Sequence, residues 1–318
     1  MFRFAIMGAG HIANKFCDAV NRIDIAEVAA VASKSLERAK DFAERNGIDS
    51  YFDSYSGMLE AVKPDCVYVA ATSNAHYELS KLCIEAGVPV LCEKAMFLNS
   101  NDAREVFSIA ENKKVFAMEA MWSRFLPAIV TAREWIRDGR IGEPTYANAA
   151  IGFKAEENPE NRYYSKALSG GAAFDLAVYD YEILTFLIDR PAEVISANAV
   201  KTDDGVDLSD HVLLKFPKEG CWDCLAVCES TFLAKLDEKI VVYGSDGKVE
   251  IPRPHFASDC YLYNAQGEQI DHFRDDVTEN GFVYETEEVI RCIKAGRTQS
   301  ERVPHELTIR CAEMFDKL

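Results

Sequence analysis

The N-terminal segment constrains the fold more than any other stretch of the sequence. Residues 2–7 are an apolar run that only Arg3 interrupts, and they lead directly into Gly8-Ala9-Gly10-His11-Ile12-Ala13. Apolar side chains then recur at helical spacing as far as Val20. A strand, a G-x-G-x-x-A turn and a helix in this order are typical of the first unit of a dinucleotide-binding domain.

The small residues of this turn have distinct steric roles. Gly8 permits the tight turn, Gly10 lets the backbone approach a pyrophosphate, and Ala13 lets the helix pack closely on the strand. The helix N-terminus at His11 and Ile12 offers free N–H groups and partial positive charge to the phosphates. The segment therefore predicts a site for NAD or NADP. The alternative interpretation is an ordinary strand-to-helix turn.

Composition excludes several classes of protein. The chain has 318 residues, which is long enough for two domains. Its formal charge of −17 argues against a nucleic-acid surface, which needs a basic patch. No apolar segment approaches the ~20 residues of a membrane span, and the ten cysteines are scattered through apolar segments, unlike a disulfide framework. We therefore expect a cytoplasmic protein that acts on a small molecule, with neither nucleic acid nor membrane as a partner.

The first third of the chain alternates apolar runs with helical periodicity. This pattern predicts a parallel, doubly wound sheet in a dinucleotide-binding domain over residues 1–121. The six predicted strands are residues 2–7, 27–32, 51–52, 66–71, 88–92 and 115–118. Because ligands of such sheets bind beyond the carboxyl ends of the strands, the candidate positions are Gly8, Ser33, Thr72, Glu93 and Glu119.

The end of the second predicted strand bears on the choice of cofactor. An NAD-selective site usually has Asp or Glu there, to bind the ribose 2′-hydroxyl. This chain has Ser33 and Lys34 instead, with Arg38 one turn into the next helix. A hydroxyl and a guanidinium bind a 2′-phosphate, which a carboxylate would repel. We therefore favour NADP over NAD; a helix cap with solvated cations is the structural alternative.

Three further motifs follow the fourth, fifth and sixth predicted strands. They are Thr72-Ser73-Asn74-Ala75-His76, Glu93-Lys94-Ala95 and Glu119-Ala120-Met121-Trp122. Together with the N-terminal turn, they resemble the glucose–fructose oxidoreductase, inositol dehydrogenase and rhizopine-catabolism (Gfo/Idh/MocA) family over essentially the whole chain. Within that family, the chain is most similar to the branch of dimeric dihydrodiol dehydrogenase and 1,5-anhydrofructose reductase, and residues 119–127 resemble the dihydrodiol dehydrogenase version of this stretch.

The resemblance implies a catalytic role for Lys94. In the family's Glu-Lys-Pro motif, the residues that match Glu93 and Lys94 lie beside the nicotinamide ribose, and the lysine also binds the substrate hydroxyl. A lysine near a cationic ring and largely out of water should have a lowered pKa, so that it exchanges protons near neutrality. The family proline is Ala95 here. The other implied cofactor contacts are Thr72, Asn74, His76 and Trp122.

The second domain is expected to span residues 122–318 and to have α+β architecture. Its first long helix is predicted over residues 172–188, directly after two glycines. Asp175, Tyr179 and Glu182 have the spacing i, i+4 and i+7, so they would share one stripe of this apolar helix. Without other information, such a stripe is usually a solvated face.

The family resemblance favours a substrate site on this helix. The segment is similar to the family's Gly-Gly-x-x-x-Asp-x-x-x-His/Tyr motif, which implies that Asp175 orients the substrate. Tyr179 would be the general acid/base partner of Lys94, since a nearby ammonium lowers the phenol pKa from its usual ~10. Arg162 and Trp122 resemble family residues that line the substrate cleft.

Beyond residue 191 the pattern changes to short strand-like runs separated by turns. It predicts a mostly antiparallel sheet with strands at 193–200, 211–216, 221–232, 239–243, 249–251, 261–264 and 269–273. Helices on one face leave the other face to be buried, and family members commonly pair through it, so the resemblance implies a homodimer. The Cys221-x-x-Cys224 pair lacks a second ligand pair at zinc spacing, so we expect no metal site.

The sequence is compatible with three functions. The leading hypothesis is an NADP-dependent oxidoreductase that transfers a hydride between nicotinamide and a secondary alcohol or ketone of a sugar, polyol or trans-dihydrodiol. The alternatives are an NAD-dependent glycosidase, since some relatives cleave glycosidic bonds with a retained nucleotide, and a non-catalytic NADP-binding sensor. Net turnover of the cofactor separates the first hypothesis from the other two.

Overall fold

A six-stranded parallel sheet forms the centre of the first of two structural units. In the computed structural model, which describes residues 1–158 and 161–318, unit 1 contains Met1–Trp122 and Glu279–Ala312. Unit 2 contains Ser123–Thr278 and Glu313–Leu318. The sequence assigned everything after residue 121 to the second domain, whereas the chain returns to unit 1 at Glu279.

The sheet of unit 1 has the strand order β3-β2-β1-β4-β5-β6, with all neighbours parallel. Its strands are β1 (Phe2–Met7), β2 (Ala26–Ala32), β3 (Ser50–Phe52), β4 (Cys66–Val69), β5 (Val90–Glu93) and β6 (Ala117–Ala120). The first five helices are α1 (His11–Val20), α2 (Leu36–Asn46), α3 (Tyr55–Val62), α4 (His76–Glu85) and α5 (Ser100–Lys113). This doubly wound arrangement confirms the predicted fold class.

Local sequence explains where these elements begin and end. β4 and β5 are buried along their whole length, as strands of a parallel sheet covered on both faces are. α2 begins after Ser35, whose hydroxyl accepts a hydrogen bond from the Arg38 N–H, and it ends at Gly47 with φ +67°. β5 and β6 extend one and two residues beyond the ends of the predicted strands. Glu93 is therefore the last residue of β5, and Glu119 is the second-last residue of β6.

Unit 2 is built on an eight-stranded sheet with the order β14-β13-β12-β11-β7-β10-β9-β8. Every neighbouring pair is antiparallel except β7 and β10, so the predicted mostly antiparallel sheet is confirmed. Two helices, α6 (Pro127–Arg137) and α7 (Val178–Ile188), belong to this unit. The strands are β7 (Pro144–Gly152), β8 (Glu193–Lys201), β9 (Asp207–Phe216), β10 (Cys224–Thr231), β11 (Lys239–Gly244), β12 (Gly247–Pro252), β13 (Asp259–Asn264) and β14 (Gln269–Arg274).

Several predictions for unit 2 were wrong in detail. The helix at 172–188 is not the first long helix, because α6 precedes it and begins with Pro127, a favoured first helical residue. β7 was missed, since its Ala-rich sequence has weak strand propensity. β10 begins at Cys224, so Cys221 lies outside the strand. Residues 173–177 form a π-helical turn before α7, which changes the phase of the predicted stripe.

The segment that returns to unit 1 carries α8 (Phe282–Lys294) and α9 (His305–Phe315). It is fixed to α1 by Asn280, whose side-chain amide donates to the Lys15 carbonyl at 2.8 Å and to Asp18 Oδ2 at 2.7 Å. The His305 ring stacks on Phe107 with centroids 4.0 Å apart. The returning segment therefore packs on α1 and α5 of unit 1.

Candidate cofactor and substrate residues

The two glycines of the N-terminal turn meet different surroundings. Gly8 has φ +111°, and a Cβ there would lie 2.7 Å from the carbonyl carbon and oxygen of Ala70. A Cβ on Gly10 would lie 3.8 Å from its nearest neighbour, the Ala70 oxygen, so it would make only an ordinary van der Waals contact. Gly10 caps α1 without a side-chain hydrogen bond. The first N–H groups of α1, at His11 and Ile12, thus suit a pyrophosphate.

The loop after β2 and the first turn of α2 present one cation each. Ser33 is buried, and its N–H donates to the Phe52 carbonyl at 3.1 Å, whereas Lys34 and Arg38 are exposed. Tyr55, which the sequence gave no reason to select, forms a hydrogen bond with the Lys34 backbone and is affected by the Arg38 charge. Burial raises the pKa of Tyr55, and the Arg38 charge opposes that shift. The cap at Ser35 and a phosphate-binding role for the cations are compatible.

His76 joins the loops that follow β4 and β5. Its Nε2 lies 3.0 Å from the Ala71 carbonyl oxygen and its Nδ1 lies 2.8 Å from that of Ala95. The ring is buried, and this burial lowers the pKa of His76 although the two carbonyl contacts oppose the shift. In the first of these loops, Thr72 Oγ1 donates to Asn74 Oδ1 at 2.6 Å. The side chain of His76 thus holds the backbone next to Lys94.

We expect the stability of unit 1 to decrease as the pH falls below about 6.5, the ordinary histidine pKa. Because the folded-state pKa of His76 is lowered, the folded state binds fewer protons there than the unfolded state, and stability is lost toward acid pH. The cost is about 1.4 kcal/mol for each unit by which the two pKa values differ. His76→Gln should flatten the pH dependence of the unfolding free energy, and the exposed control His211→Gln should not.

Two buried glutamates stand at the ends of β5 and β6. Glu93 accepts hydrogen bonds from the Tyr68 hydroxyl and, at 3.3 Å, from the Lys94 N–H. Burial raises the pKa of Glu93, while Tyr68 and the Lys94 charge oppose that shift. Glu119 Oε1 accepts from the Met96 N–H at 2.9 Å. The backbone on both sides of Lys94 is therefore tied to a buried carboxylate.

The Lys94–Ala95 segment has further contacts within unit 1. The peptide bond between these two residues is cis, and Ala95 is fully buried. Glu119 Oε2 also accepts from Thr308 Oγ1 at 2.8 Å, so the returning segment supports the same loop. Trp122 is 8% exposed and stacks on Phe282, the first residue of α8, with centroids 5.2 Å apart. The partners Thr308 and Phe282 carried no recognisable sequence signal, since both lie in the segment that returns to unit 1.

In unit 2, Asp175 lies in the π-helical turn and Tyr179 lies in the first turn of α7. Arg162 Nη2 donates to Asp175 Oδ2 at 2.8 Å, and its guanidinium lies 4.2 Å from the centre of the Tyr163 ring. Burial lowers the pKa of Arg162, but Asp175 and Tyr163 together outweigh that effect, so the Arg162 pKa is raised. The predicted residues Arg162 and Asp175 thus form one ion pair.

Tyr179 has an aromatic neighbour that the sequence did not reveal. The phenol is 8% exposed, and its ring centre lies 5.5 Å from that of His255. His255 follows Pro254 in a short turn after β12 and also packs on Phe256. No periodic pattern could have selected His255, because the turn is distant in sequence from α7.

Glu182, the third residue of the predicted stripe, is part of the core. Its Oε2 accepts a hydrogen bond from Arg124 Nη1 at 2.9 Å, and both side chains are buried. The Arg124 guanidinium also lies 4.7 Å from the Phe186 ring centre. Burial lowers the pKa of Arg124, and Glu182 opposes that shift. This buried pair is a structural element of unit 2.

Within residues 1–158 and 161–318, no group of three or more His, Cys, Asp or Glu side chains is arranged to hold a metal ion. No helix in the same ranges is both long and apolar enough to cross a membrane.

Two domains of one protein family match the chain, one in its N-terminal part and one in its C-terminal part. Residues 2–121 match the oxidoreductase family with an NAD-binding Rossmann fold, and residues 129–250 match the Gfo/Idh/MocA C-terminal domain. The chain belongs to the Gfo/Idh/MocA oxidoreductase family. Its predicted family, its oxidoreductase class and its use of a nicotinamide cofactor are therefore confirmed.

Curated relatives match over nearly the whole chain. The trans-1,2-dihydrobenzene-1,2-diol dehydrogenase of Danio rerio is 31% identical and aligns with 99% of this chain and 95% of its own length. The Mus musculus enzyme of the same name is 30% identical, with the same two coverages. A D-xylose 1-dehydrogenase (NADP(+)) of Hypocrea jecorina is 29% identical over 99% of this chain and 90% of its own length.

Solved structures of lower identity share the fold. A 3-ketoreductase from Actinomadura kijaniata in complex with NADP and TDP-benzene has a TM-score of 0.85 at 22% identity, over 99% of this chain and 96% of that one. An aldose-aldose oxidoreductase from Caulobacter crescentus has a TM-score of 0.87 at 21% identity, over 99% and 95% of the two chains. This likeness shows that the chain shares the fold of these two proteins.

Proposed function

We propose that this protein transfers a hydride between NADP and a secondary alcohol or ketone of a sugar, polyol or trans-dihydrodiol. Residues 1–121 would bind the cofactor, and residues 122–318 would bind the substrate and a second subunit. The observation that carries the proposal is the whole-chain likeness to dihydrodiol dehydrogenases at 31% identity, with a Glu-Lys pair at the end of β5. The NADP-dependent xylose dehydrogenase among the relatives supports the choice of cofactor.

The residues of unit 1 suit the cofactor. The N–H groups at the start of α1 would bind the pyrophosphate next to Gly10, and Ser33, Lys34 and Arg38 would bind the 2′-phosphate. Thr72, Asn74 and Trp122 would line the cofactor cleft, while His76 would support the loop. When bound, the reduced cofactor supplies a hydride to the carbonyl carbon of the substrate.

The chain itself would handle the proton and the orientation of the substrate. Tyr179 Oη donates a proton to the carbonyl oxygen in reduction and accepts it in oxidation. Lys94 Nζ binds that oxygen and the nicotinamide ribose, so its positive charge stabilises the negative charge that develops on oxygen. Asp175, held by Arg162 at 2.8 Å, accepts a hydrogen bond from a neighbouring substrate hydroxyl.

The experiment that tests this function measures net oxidation of NADPH with a panel of keto-sugars, and net reduction of NADP with polyols and trans-dihydrodiols. Turnover with any of them supports the proposal. Hydrolysis of glycosides without net change of the cofactor would favour the glycosidase alternative. Binding of NADP without turnover of any compound would favour the sensor.

Replacement of Arg38 by alanine is expected to lower the preference for NADPH over NADH about 10-fold to 100-fold. The reason is that a charge-assisted hydrogen bond to phosphate contributes about 1.5–3 kcal/mol. The measurement is the ratio of kcat/KM values for the two cofactors. Lys40→Ala, an exposed cation on the same helix, is the matched control and should leave the ratio unchanged. Ser33→Asp should shift the ratio in the same direction as Arg38→Ala; an unshifted ratio in both variants would exclude NADP selection by this loop.

The open face of the unit 2 sheet supports the proposed homodimer. Tyr146, Leu225 and Tyr243 are neighbours on β7, β10 and β11 and are 40–43% exposed. The Tyr146 and Tyr243 ring centres lie 6.1 Å apart. A contiguous apolar patch of this kind marks an interaction surface. The ten cysteines are free, and all but Cys221 are buried, which accords with the cytoplasm as the compartment in which this dimer would form.

Leu225→Arg is expected to convert the dimer to a monomer, because the interface would then bury an unpaired charge. The molar mass by light scattering or sedimentation measures the change. Val277→Arg, at a residue 84% exposed and outside the sheet, is the control that should keep the wild-type mass. A monomeric wild type would contradict the proposed dimer.

A further inference from the structure

The helix that carries Tyr179 is anchored at its N-terminal end by a carboxylate from a distant strand. The N–H of Ala173, at the start of the π-helical turn, donates to Asp207 Oδ2 at 2.6 Å. Asp207 is the first residue of β9 and is buried. The first N–H groups of a helical segment lack partners within it, so a carboxylate there both satisfies a donor and complements the dipole.

Gly171 lies against the same carboxylate. A Cβ at this position would lie 2.4 Å from Asp207 Oδ1, and its φ of +139° is unfavourable for other residues. Any side chain at residue 171 would therefore displace Asp207 from Ala173. The absence of a side chain at Gly171 thus leaves the space that the Asp207 carboxylate occupies.

A second carboxyl group, that of Asp210, lies next to the carboxylate of Asp207. The register of β8 and β9 shifts between Val200 and Lys201, which pair with Ser209 and Asp207 respectively. This irregularity puts Asp207 on the same face as Asp210, although three residues along a regular strand would point to opposite faces. Asp210 is 3% exposed, and no donor of the described residues reaches either of its oxygens.

The two carboxyl groups therefore fit together only if one of them holds a proton. Burial and the neighbouring Asp207 charge raise the pKa of Asp210 to about 9, with Lys201 opposing. On the adjacent strand, Ser230 pairs with Asp210 in register but gives its hydroxyl to the buried Asp180 on α7, at 3.1 Å. Near neutrality Asp210 is thus protonated and donates to Asp207, which leaves Asp207 free to accept from Ala173.

We propose that Asp207, supported by Asp210, is a positioning residue that holds Asp175 and Tyr179 in place for proton transfer. The proposal rests on the proposed function, since it acts through those two residues. Asp207 fixes the first turn of the segment, and Asp175 and Tyr179 follow at two and six residues beyond Ala173. Loss of the anchor would loosen the turn that carries both side chains.

The decisive measurement is the pH profile of kcat/KM for carbonyl reduction in a set of matched variants. The wild type should lose activity in a step near pH 9, where ionised Asp210 would repel Asp207. Asp210→Asn should show a smaller loss across pH 9, because an asparagine amide donates to Asp207 at every pH and only the ionisation of Tyr179 remains. Asp180→Asn, at a fully buried carboxyl on α7 that accepts its hydrogen bond from Ser230, should keep the wild-type step. Identical profiles for wild type and Asp210→Asn would overturn the proposal.

Variants of Asp207 separate positioning from general stability. Asp207→Ala should lower kcat about 10-fold to 100-fold with NADPH affinity unchanged, and Asp207→Asn, which keeps an acceptor oxygen for Ala173, should recover most of that loss. An Asp207→Ala enzyme that folds with wild-type kcat would contradict the proposal. Asp210→Asn is expected to fold, since the wild-type carboxyl costs stability as the pH rises from 3.8 toward about 9 and asparagine removes that cost.

Amide hydrogen exchange tests the contact between Asp207 and Ala173 independently of turnover. If no carbonyl compound is reduced, the proposed function fails, whereas the anchor is still tested by exchange in residues 173–179. In the wild type, protection of this segment, corrected for intrinsic exchange, should fall at least ~10-fold across pH 9, and in Asp210→Asn it should not. Protection that does not depend on Asp210 would overturn the positioning role directly.

Discussion

Replacement of Lys94 by methionine, or of Tyr179 by phenylalanine, is expected to lower kcat for carbonyl reduction by about 10²-fold to 10⁴-fold. That range is the usual contribution of a positioned acid or base. Methionine keeps the length of the lysine chain and removes its charge, and phenylalanine keeps the ring and removes the proton donor. Because both side chains are assigned to one proton transfer, the double variant should be scarcely slower than the slower single variant.

Steady-state kinetics with NADPH and the best carbonyl substrate measures these effects. Tyr181→Phe is the matched control, since Tyr181 is a buried tyrosine two residues further along α7. It should retain kcat within a few-fold. Equal losses in Tyr179→Phe and Tyr181→Phe would mean that the helix tolerates no change, and would remove the support for Tyr179 as the proton donor. Multiplicative losses in the double variant would separate Lys94 and Tyr179 into different steps.

Replacement of Glu182 by alanine is expected to destabilise unit 2 by about 3–5 kcal/mol. The variant leaves the buried guanidinium of Arg124 without its carboxylate, and an uncompensated buried charge has a cost of this order. The double variant Arg124→Met with Glu182→Leu removes both charges and should be far more stable than Glu182→Ala, because apolar pairs of similar volume often substitute for a buried ion pair.

Denaturant unfolding, followed by the transition assigned to unit 2, measures this effect. The exposed pair Arg274 and Asp276, 2.7 Å apart in the same unit, is the control. Replacing both residues of this pair by alanine should leave the denaturant midpoint of the transition unchanged, since solvent screens exposed ion pairs. A double variant as unstable as Glu182→Ala would show that the loss comes from packing and not from the unpaired charge.

Candidate site residues could be selected from the sequence wherever a local rule links a residue type to its chemistry. Gly8 and Gly10 follow from the sterics of a strand-to-helix turn, and the cations after β2 follow from the absence of an acidic residue there. Glu182 shows the limit of such rules. Its helical spacing from Tyr179 is that of a site residue, but the residue binds Arg124 in the core, which only the packing of α7 reveals.

By itself, the sequence determined the alternation of strands and helices, and therefore the doubly wound sheet, because hydrophobic periodicity and glycine turns act over a few residues. It also determined the family, through motifs at the ends of strands. Only the tertiary structure brought His255 to Tyr179, Asp207 to Ala173, and Phe282 to Trp122. These pairs join residues that are far apart along the chain, and the order of strands in a sheet and the return of the last helices decide which of them meet.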